Sequence, residues 1–184
     1  MRMRTTRPRR SSRARHAVVI VPALAAALVL TGCGRPGTAA TVDGERITEG
    51  QVGALVADLE RLASTAQAGA PVDPAQALST LVQAPTILDV VAEFGATASD
   101  QEAVALLDSV VSQGGLEPWD YSAEIRQVAQ LQLASPALQA DEAASLEVGR
   151  RLAALDVDLN PRFGTWQDGQ IAPTQWPWLV PSAS

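Results

Sequence analysis

The sequence has no lysine, one histidine and one cysteine, and these absences exclude several kinds of site. His16 lies before a long apolar run, so no imidazole occurs after Cys33. Ser/His/Asp and Cys/His catalysis, disulfides within the chain and zinc sites of the usual His/Cys type are therefore excluded from the rest of the sequence. Chemistry based on carboxylates alone stays open. We expect neither an enzyme nor a metal or other cofactor.

Positive charge is also scarce in residues 33–184. All twenty acidic residues of the chain lie there against seven arginines, which gives this part a formal charge of −13. This charge argues against nucleic acid as a partner, because binding phosphates demands a basic face. The pairs Asp141/Glu142 and Asp156/Asp158 lack the glycine-bearing loop of a calcium site. They indicate a helix start and the solvent-facing side of a strand instead.

Residues 1–32 have the order of a secretory signal peptide. Seven arginines precede an apolar stretch at residues 17–30. As a helix this stretch spans only about 21 Å, against a hydrocarbon core of about 30 Å. We therefore expect a leader that is cleaved rather than a membrane span.

The apolar stretch leads into Leu30, Thr31, Gly32 and Cys33, which resemble the lipobox of bacterial lipoproteins. In such proteins the cysteine receives a diacylglyceryl group and becomes the first mature residue. The resemblance implies that Cys33 anchors the protein at the extracytoplasmic face of the cell membrane. The alternative is an ordinary secreted protein with an incidental free thiol.

After a Gly/Pro linker at residues 33–39, the pattern predicts a mainly α fold. The Asp-Gly pair at 43–44 between short extended pieces predicts a hairpin. Thr48 with Gln51 makes a capping box that starts a helix ending by Gly69. Apolar residues at helical spacing indicate that this helix faces a core rather than forming a binding groove; they are Val52, Leu55, Val56, Leu59, Leu62 and Ala66.

Four further helical patterns follow. Asp73 before a proline starts the second at residue 74, and Pro85 either kinks it or divides it into two before residue 94. A capping box at Ser99 starts the third, which ends at residues 114–115. The fourth is expected from about Asp120 to just before Pro136, and the fifth from about 137 to 155.

The end of the chain changes character. Residues 157–159 alternate like a strand, and we predict that they pair with residues near 41–43, giving a small β element formed by the N- and C-terminal segments. Residues 167–184 form a Pro/Trp-rich tail with Trp176 and Trp178. This tail is either an arm folded back onto the helices or an exposed binding segment, in which Trp176 and Trp178 would contact a partner.

Two motifs bracket this domain, which we place at residues 40–166. Residues 39–48 read Ala-Ala-Thr-Val-Asp-Gly-Glu-Arg-Ile-Thr, which resembles the Val-Asn-Gly-Glu-x-Ile-Thr opening of the SurA and PrsA family of extracytoplasmic chaperones. Residues 160–166 read Asn-Pro-Arg-Phe-Gly-Thr-Trp, similar to the Asn-Pro-Arg-Tyr-Gly-Thr-Trp segment that ends the SurA-N-like domain of actinobacterial lipoproteins.

The resemblance implies a helical SurA-N-like chaperone domain that binds unfolded or exported proteins. It also implies that the first strand pairs with a strand from the end of the module. Isomerase activity is not expected, because the sequence offers neither a parvulin segment nor the paired imidazoles typical of that site. The alternative is a structural or regulatory envelope lipoprotein that docks one partner.

Overall fold

The computed structural model describes residues 36–65 and 71–173 of the 184-residue chain. These residues are mainly helical, as the sequence predicts, with two small antiparallel sheets, of which only the one that joins the two ends of the domain was expected. In chain order the elements are β1 (Thr38–Val42), β2 (Glu45–Thr48), α1 (Glu49–Thr65), α2 (Pro74–Glu93), α3 (Asp100–Gln113), α4 (Ala123–Ala140), α5 (Glu142–Ala154), β3 (Val157–Leu159), β4 (Thr165–Gln167) and β5 (Gln170–Ala172).

The first sheet joins the two ends of the domain. Its strand order is β2-β1-β3, so β1 lies in the centre with β3 antiparallel to it. Thr41 is opposite Asp158, and the Asp43 N–H donates to the carbonyl oxygen of Asp156 at 2.9 Å. The Asp43 side chain in turn accepts from the Asp156 N–H at 3.0 Å. The predicted pairing of the two segments is confirmed, and it closes the ladder on both sides of β1.

Helices α1, α2 and α3 begin where their capping residues predict, whereas α5 begins at Glu142 and not at about residue 137 as expected. Thr48 and Gln51 form reciprocal hydrogen bonds, the Thr48 N–H to Oε1 of Gln51 at 2.9 Å and the Gln51 N–H to Oγ1 of Thr48 at 3.2 Å. Ser99 caps α3 in the same manner, and Asp73 accepts from the N–H of Ala75 at 2.9 Å. These bonds satisfy N–H groups that have no partner inside the helix.

Pro85 and Pro136 lie inside helices and do not end them. Helix α2 runs through Pro85 as one helix, and α4 runs through Pro136 to Ala140. The prediction that the fourth helix stops before Pro136 is wrong, because a missing N–H removes only one hydrogen bond while packing against neighbouring helices continues. The break lies at Asp141, where the backbone is extended and the side chain accepts from the N–H of Ala144. Helix α4 also starts later than expected, after the capping residue Ser122.

Two apolar clusters fill the interior. The main core cluster joins α1, α2, α3, α4 and β1, and its largest fully buried members are Leu55, Leu78, Val82, Val111 and Ile125. The described members of the predicted α1 stripe face this cluster, as expected, whereas Ala66 lies outside the described residues; those members are Val52, Leu55, Val56, Leu59 and Leu62. The second cluster is smaller: Val90, Ala144 and Val148 are buried, with Ile87, Leu138 and Leu152 packed against them. It joins the C-terminal half of α2 to α5.

Strands β4 and β5 form a hairpin that the sequence analysis did not predict. Asp168 and Gly169 make its turn with φ of 50° and 79°. The hairpin is fixed to α2 because Nε2 of Gln83 donates to the carbonyl oxygen of Gly169 at 3.1 Å. The boundary placed between residues 166 and 167 therefore lies inside β4, and residues 167–172 are part of the folded domain rather than of a tail.

Candidate functional site

The residues predicted from sequence to carry function lie outside the described part of the chain. These are the lipid attachment residue Cys33, its lipobox neighbours Leu30, Thr31 and Gly32, and the tail residues Trp176 and Trp178. Within residues 36–65 and 71–173 no helix is long and apolar enough to cross a membrane. The candidate sites in the described part of the chain therefore consist of other residues.

The closing motif at residues 160–166 connects the two ends of the domain. The N–H of Asn160 donates to the Ala39 carbonyl at 2.9 Å, and its side-chain amide donates to the carbonyl of Thr38 at 3.2 Å. Phe163 is buried in the main core cluster. Arg162 lies over the Phe163 ring, 4.5 Å from the centroid. Side chains of this motif thus position the chain that follows β3.

Gly164 has a backbone conformation that other residues rarely adopt, with φ of +129°. A Cβ at this position would overlap the carbonyl oxygen of Ala172 and lie 2.8 Å from Cγ2 of Ile171. The glycine therefore permits the close approach of the motif to β5. This explains physically why a glycine follows the aromatic residue here.

The motif, the β4–β5 hairpin, the start of α2 and the end of α5 enclose an open cleft, which we call the motif cleft. Its volume is about 880 Å³, within the range of ligand sites. The polar face of α2 forms one wall with Asp73, Gln76, Thr80 and Gln83, and Leu152, Phe163 and Ile171 add apolar surface. Pro173, the last described residue, also lines it. The α2 residues were missed because their spacing reads only as a solvated helix face.

A second cleft of about 530 Å³ lies between β2, the middle of α2 and the start of α4, and we call it the acidic cleft. Asp43, Glu45, Asp89 and Glu124 line it, and Arg46 is its one basic residue. Apolar residues from four elements or their ends line the same space; they are Val42, Ile47, Leu81, Val82, Pro85 and Leu155. No single sequence motif contains these residues, because they come together only in the fold.

A separate polar cluster around Asp58 and Tyr121 supports the fold and lines neither cleft. Both oxygens of Asp58 accept hydrogen bonds, from Nε1 of Trp119 at 2.9 Å and from the N–H of Ser122 at 3.1 Å. Burial and the hydrogen bond to Asp108 raise the pKa of Tyr121 to about 12. A phenol held protonated in this manner offers no base near neutral pH. The cluster fixes the connection between α3 and α4 against α1.

The described residues also contain no group of three or more histidine, cysteine, aspartate or glutamate side chains that could hold a metal ion. Comparison of the chain with protein-family models, with curated proteins and with solved structures finds no match. The resemblance to the SurA and PrsA family therefore depends on the two motifs and on the pattern of helices between them.

Proposed function

We propose that this protein is a membrane-anchored, chaperone-like lipoprotein of the cell envelope, with a SurA-N-like domain that binds unfolded or exported proteins. The motif cleft is the observation that carries the proposal. It is open, it mixes polar and apolar surface, and it is built by the very motif on which the family resemblance rests. Such a surface suits weak binding of many extended chains rather than one tightly enclosed ligand.

The paired ends of the domain add support. The resemblance implies pairing of the first strand with a strand from the end of the module, and β1 with β3 has that arrangement. The chain offers no histidine after His16, so the proposal includes no parvulin-type isomerase activity.

The test is suppression of aggregation of an unfolded model protein, followed by light scattering. We expect the full chain to lower scattering and Gln76→Trp to reduce this effect, because an indole on α2 would fill the motif cleft. Gln101→Trp is the matched control, since Gln101 is an exposed residue in the first turn of α3 and lines neither cleft. Equal scattering with and without excess protein would exclude the chaperone proposal. Proline-limited refolding should not be accelerated.

The alternative is a lipoprotein that docks a single folded envelope partner. Pro173 lines the motif cleft, and Trp176 and Trp178 follow it by three and five residues, which gives this alternative its specific support. Crosslinking in membranes separates the two: a chaperone captures many proteins, whereas a docking protein captures one at fixed stoichiometry.

Membrane attachment is tested independently of binding. Two acyl chains on Cys33 would anchor the protein far more firmly than one, at about 0.8 kcal/mol per buried CH₂. We expect Cys33→Ala to lose radiolabelled lipid. Label that persists on this variant would contradict the anchor.

A further inference from the structure

The acidic cleft has more negative than positive side chains. Of its four carboxylates, Asp43 already accepts a hydrogen bond from the Asp156 N–H. Glu45, Asp89 and Glu124 make no hydrogen bond or ion pair with any residue in the described part of the chain, and neither does the Arg46 side chain. The cleft therefore presents a net negative rim whose acceptors are available to a cationic group.

Apolar residues line the wall of the same cleft, and Pro85 of α2 is among them. Leu81 and Val82 are buried and line the cleft together with Ile47. The site thus combines apolar surface with carboxylates that can accept hydrogen bonds. This combination suits a polypeptide segment with both basic and apolar side chains.

Strand β2 lies at the edge of its sheet, and no strand in the described part of the chain pairs with its outer side. The hydrogen bonds of Ala39 and Asp43 to the β3 side show that odd-numbered residues of β1 face β3, so Ala40 and Val42 bond to β2. Their partners are Ile47 and Glu45. Arg46, between these two, therefore directs its N–H and C=O away from β1.

The free edge lies along the acidic cleft. Successive residues of a strand point to opposite faces, yet Glu45, Arg46 and Ile47 all line this cleft. Glu45 and Ile47 share one face of the sheet with Val42 of β1, so a space that is lined by these residues and by Arg46 covers that face and reaches the outer edge of β2. An extended chain in the cleft can therefore bond to the backbone of Arg46 while its side chains reach α2 and α4.

We propose that the acidic cleft binds an extended polypeptide segment, added as a strand along β2, whose cleft-facing side chains, every second residue, include both basic and apolar ones. The basic side chains pair with Glu45, Asp89 and Glu124, and the apolar ones contact Ile47, Leu81 and Val82. This inference deepens the proposed function and rests on it, because it assigns the chemistry of the bound segment and a second place where it binds. The carboxylates lie on three separate elements, which suits a long cationic side chain.

The probe is a fluorescent ten-residue peptide that repeats two valines and two lysines, so that each face of the strand carries both residue types, titrated into the full chain and followed by anisotropy. The same peptide with glutamate for lysine is the control for charge. We expect saturable binding of the lysine peptide that weakens as salt rises, because the Debye length falls from about 10 Å at 0.1 M to about 3 Å at 1 M. The glutamate peptide should not bind.

Two pairs of variants locate the site. Asp89→Asn with Glu124→Gln removes two charges from the cleft, and we expect affinity for the lysine peptide to fall about tenfold. Glu117→Gln with Asp120→Asn removes two charges from the exposed α3–α4 connection, and the fall should be less than about threefold. Arg46→Pro removes the free N–H without removing a ladder bond, whereas Arg46→Ala keeps it. Affinity should be lower for the proline variant than for the alanine variant.

Several results would overturn this inference. Equal losses from the two charge pairs would show attraction to overall charge and not to the cleft. Equal affinities of the proline and alanine variants would exclude strand addition. Self-association of the chain that competes with the peptide, measured by sedimentation, would assign the cleft to a second copy. Absence of peptide binding while aggregation is still suppressed would reject the acidic cleft alone and leave the proposed function intact.

Discussion

The main core cluster and the second cluster differ in how many side chains they bury and in the polar contacts that surround them. The main cluster buries residues from four helices and β1 and is closed by the strand pairing of the two chain ends. The second cluster buries only Val90, Ala144 and Val148. The residue Leu146, on the same helix as two of these, is 69% exposed. The difference indicates that α5 depends more on its ends and on surface charge than on buried area.

Surface ion pairs tie α5 to α2. Arg151 contacts both Glu147 on its own helix and Glu93 at the end of α2, and Glu147 also pairs with Arg150. Such exposed pairs contribute little individually, but together they fix the position of one helix end. The main core cluster has a different polar support, the hydrogen bonds of Asp58 to the connection that precedes α4.

The largest effect should come from the closing motif. Gly164→Ala places a methyl group against the backbone oxygen of Ala172 at a positive φ, so we expect a loss of about 3 kcal/mol in the free energy of unfolding. Gly53→Ala is the control: Gly53 lies in α1 with open space around it, and alanine there should stabilise by about 0.5–1 kcal/mol. Urea unfolding measures both. A tolerated Gly164→Ala would mean that the motif does not close the main core cluster.

Matched valine truncations compare the clusters directly. Val111 is fully buried in the main cluster, and Val111→Ala should cost about 2 kcal/mol. Val148→Ala, in the second cluster, should cost about 1 kcal/mol because the site is smaller and 8% exposed. Thermal and urea unfolding of both variants provides the comparison. Equal losses would remove the distinction between the two regions.

Asp58→Asn should weaken the main cluster more modestly. The amide retains one acceptor oxygen but loses the charge and one of the two hydrogen bonds, so we expect a loss of about 1 kcal/mol. Glu60→Gln, an exposed change on the same helix, should stay within about 0.5 kcal/mol. If both variants unfold at the same urea concentration, Asp58 does not hold the α3–α4 connection.

Acid should affect the second cluster first, and this is the smallest expected effect. The hydrogen bonds from Arg150 and Arg151 lower the pKa of Glu147 from 4.5 to about 2, and the bond from Arg151 lowers that of Glu93. A carboxyl group with a lowered folded-state pKa stabilises the fold above its unfolded value, and this contribution is lost as pH falls from about 4.5 to about 2. Amide protection factors, which correct for the intrinsic pH dependence of exchange, should therefore fall in α5 before α1 over this range.

Glu147→Gln provides the control for the acid effect. The variant cannot titrate at position 147, so the difference between α5 and α1 in amide exchange should change less with pH than in the parent chain. An unchanged pH dependence would show that these ion pairs do not support α5.

Local signals in the sequence predicted much of the main region. Thr48, Asp73 and Ser99 mark helix starts because each side chain satisfies its own helix terminus, independent of distant contacts. The Asp43-Gly44 turn, with φ of 49° and 86°, fits a two-residue hairpin for the same local reason. A similar Asp-Gly pair at 168–169 forms the turn of the β4–β5 hairpin, which was not among the predicted elements.

Only the tertiary structure decided the rest. Proline signals at 85 and 136 are local, but whether a helix continues through them depends on neighbours that hold both halves. The two clefts combine residues far apart in the chain, such as Glu45, Asp89 and Glu124. The sequence by itself determined the starts of α1, α2 and α3, the charge balance and the strands β1, β2 and β3, since these follow from nearby residues and composition. Cleft shape, cluster size and the position of each carboxylate follow from packing between elements, which local patterns do not specify.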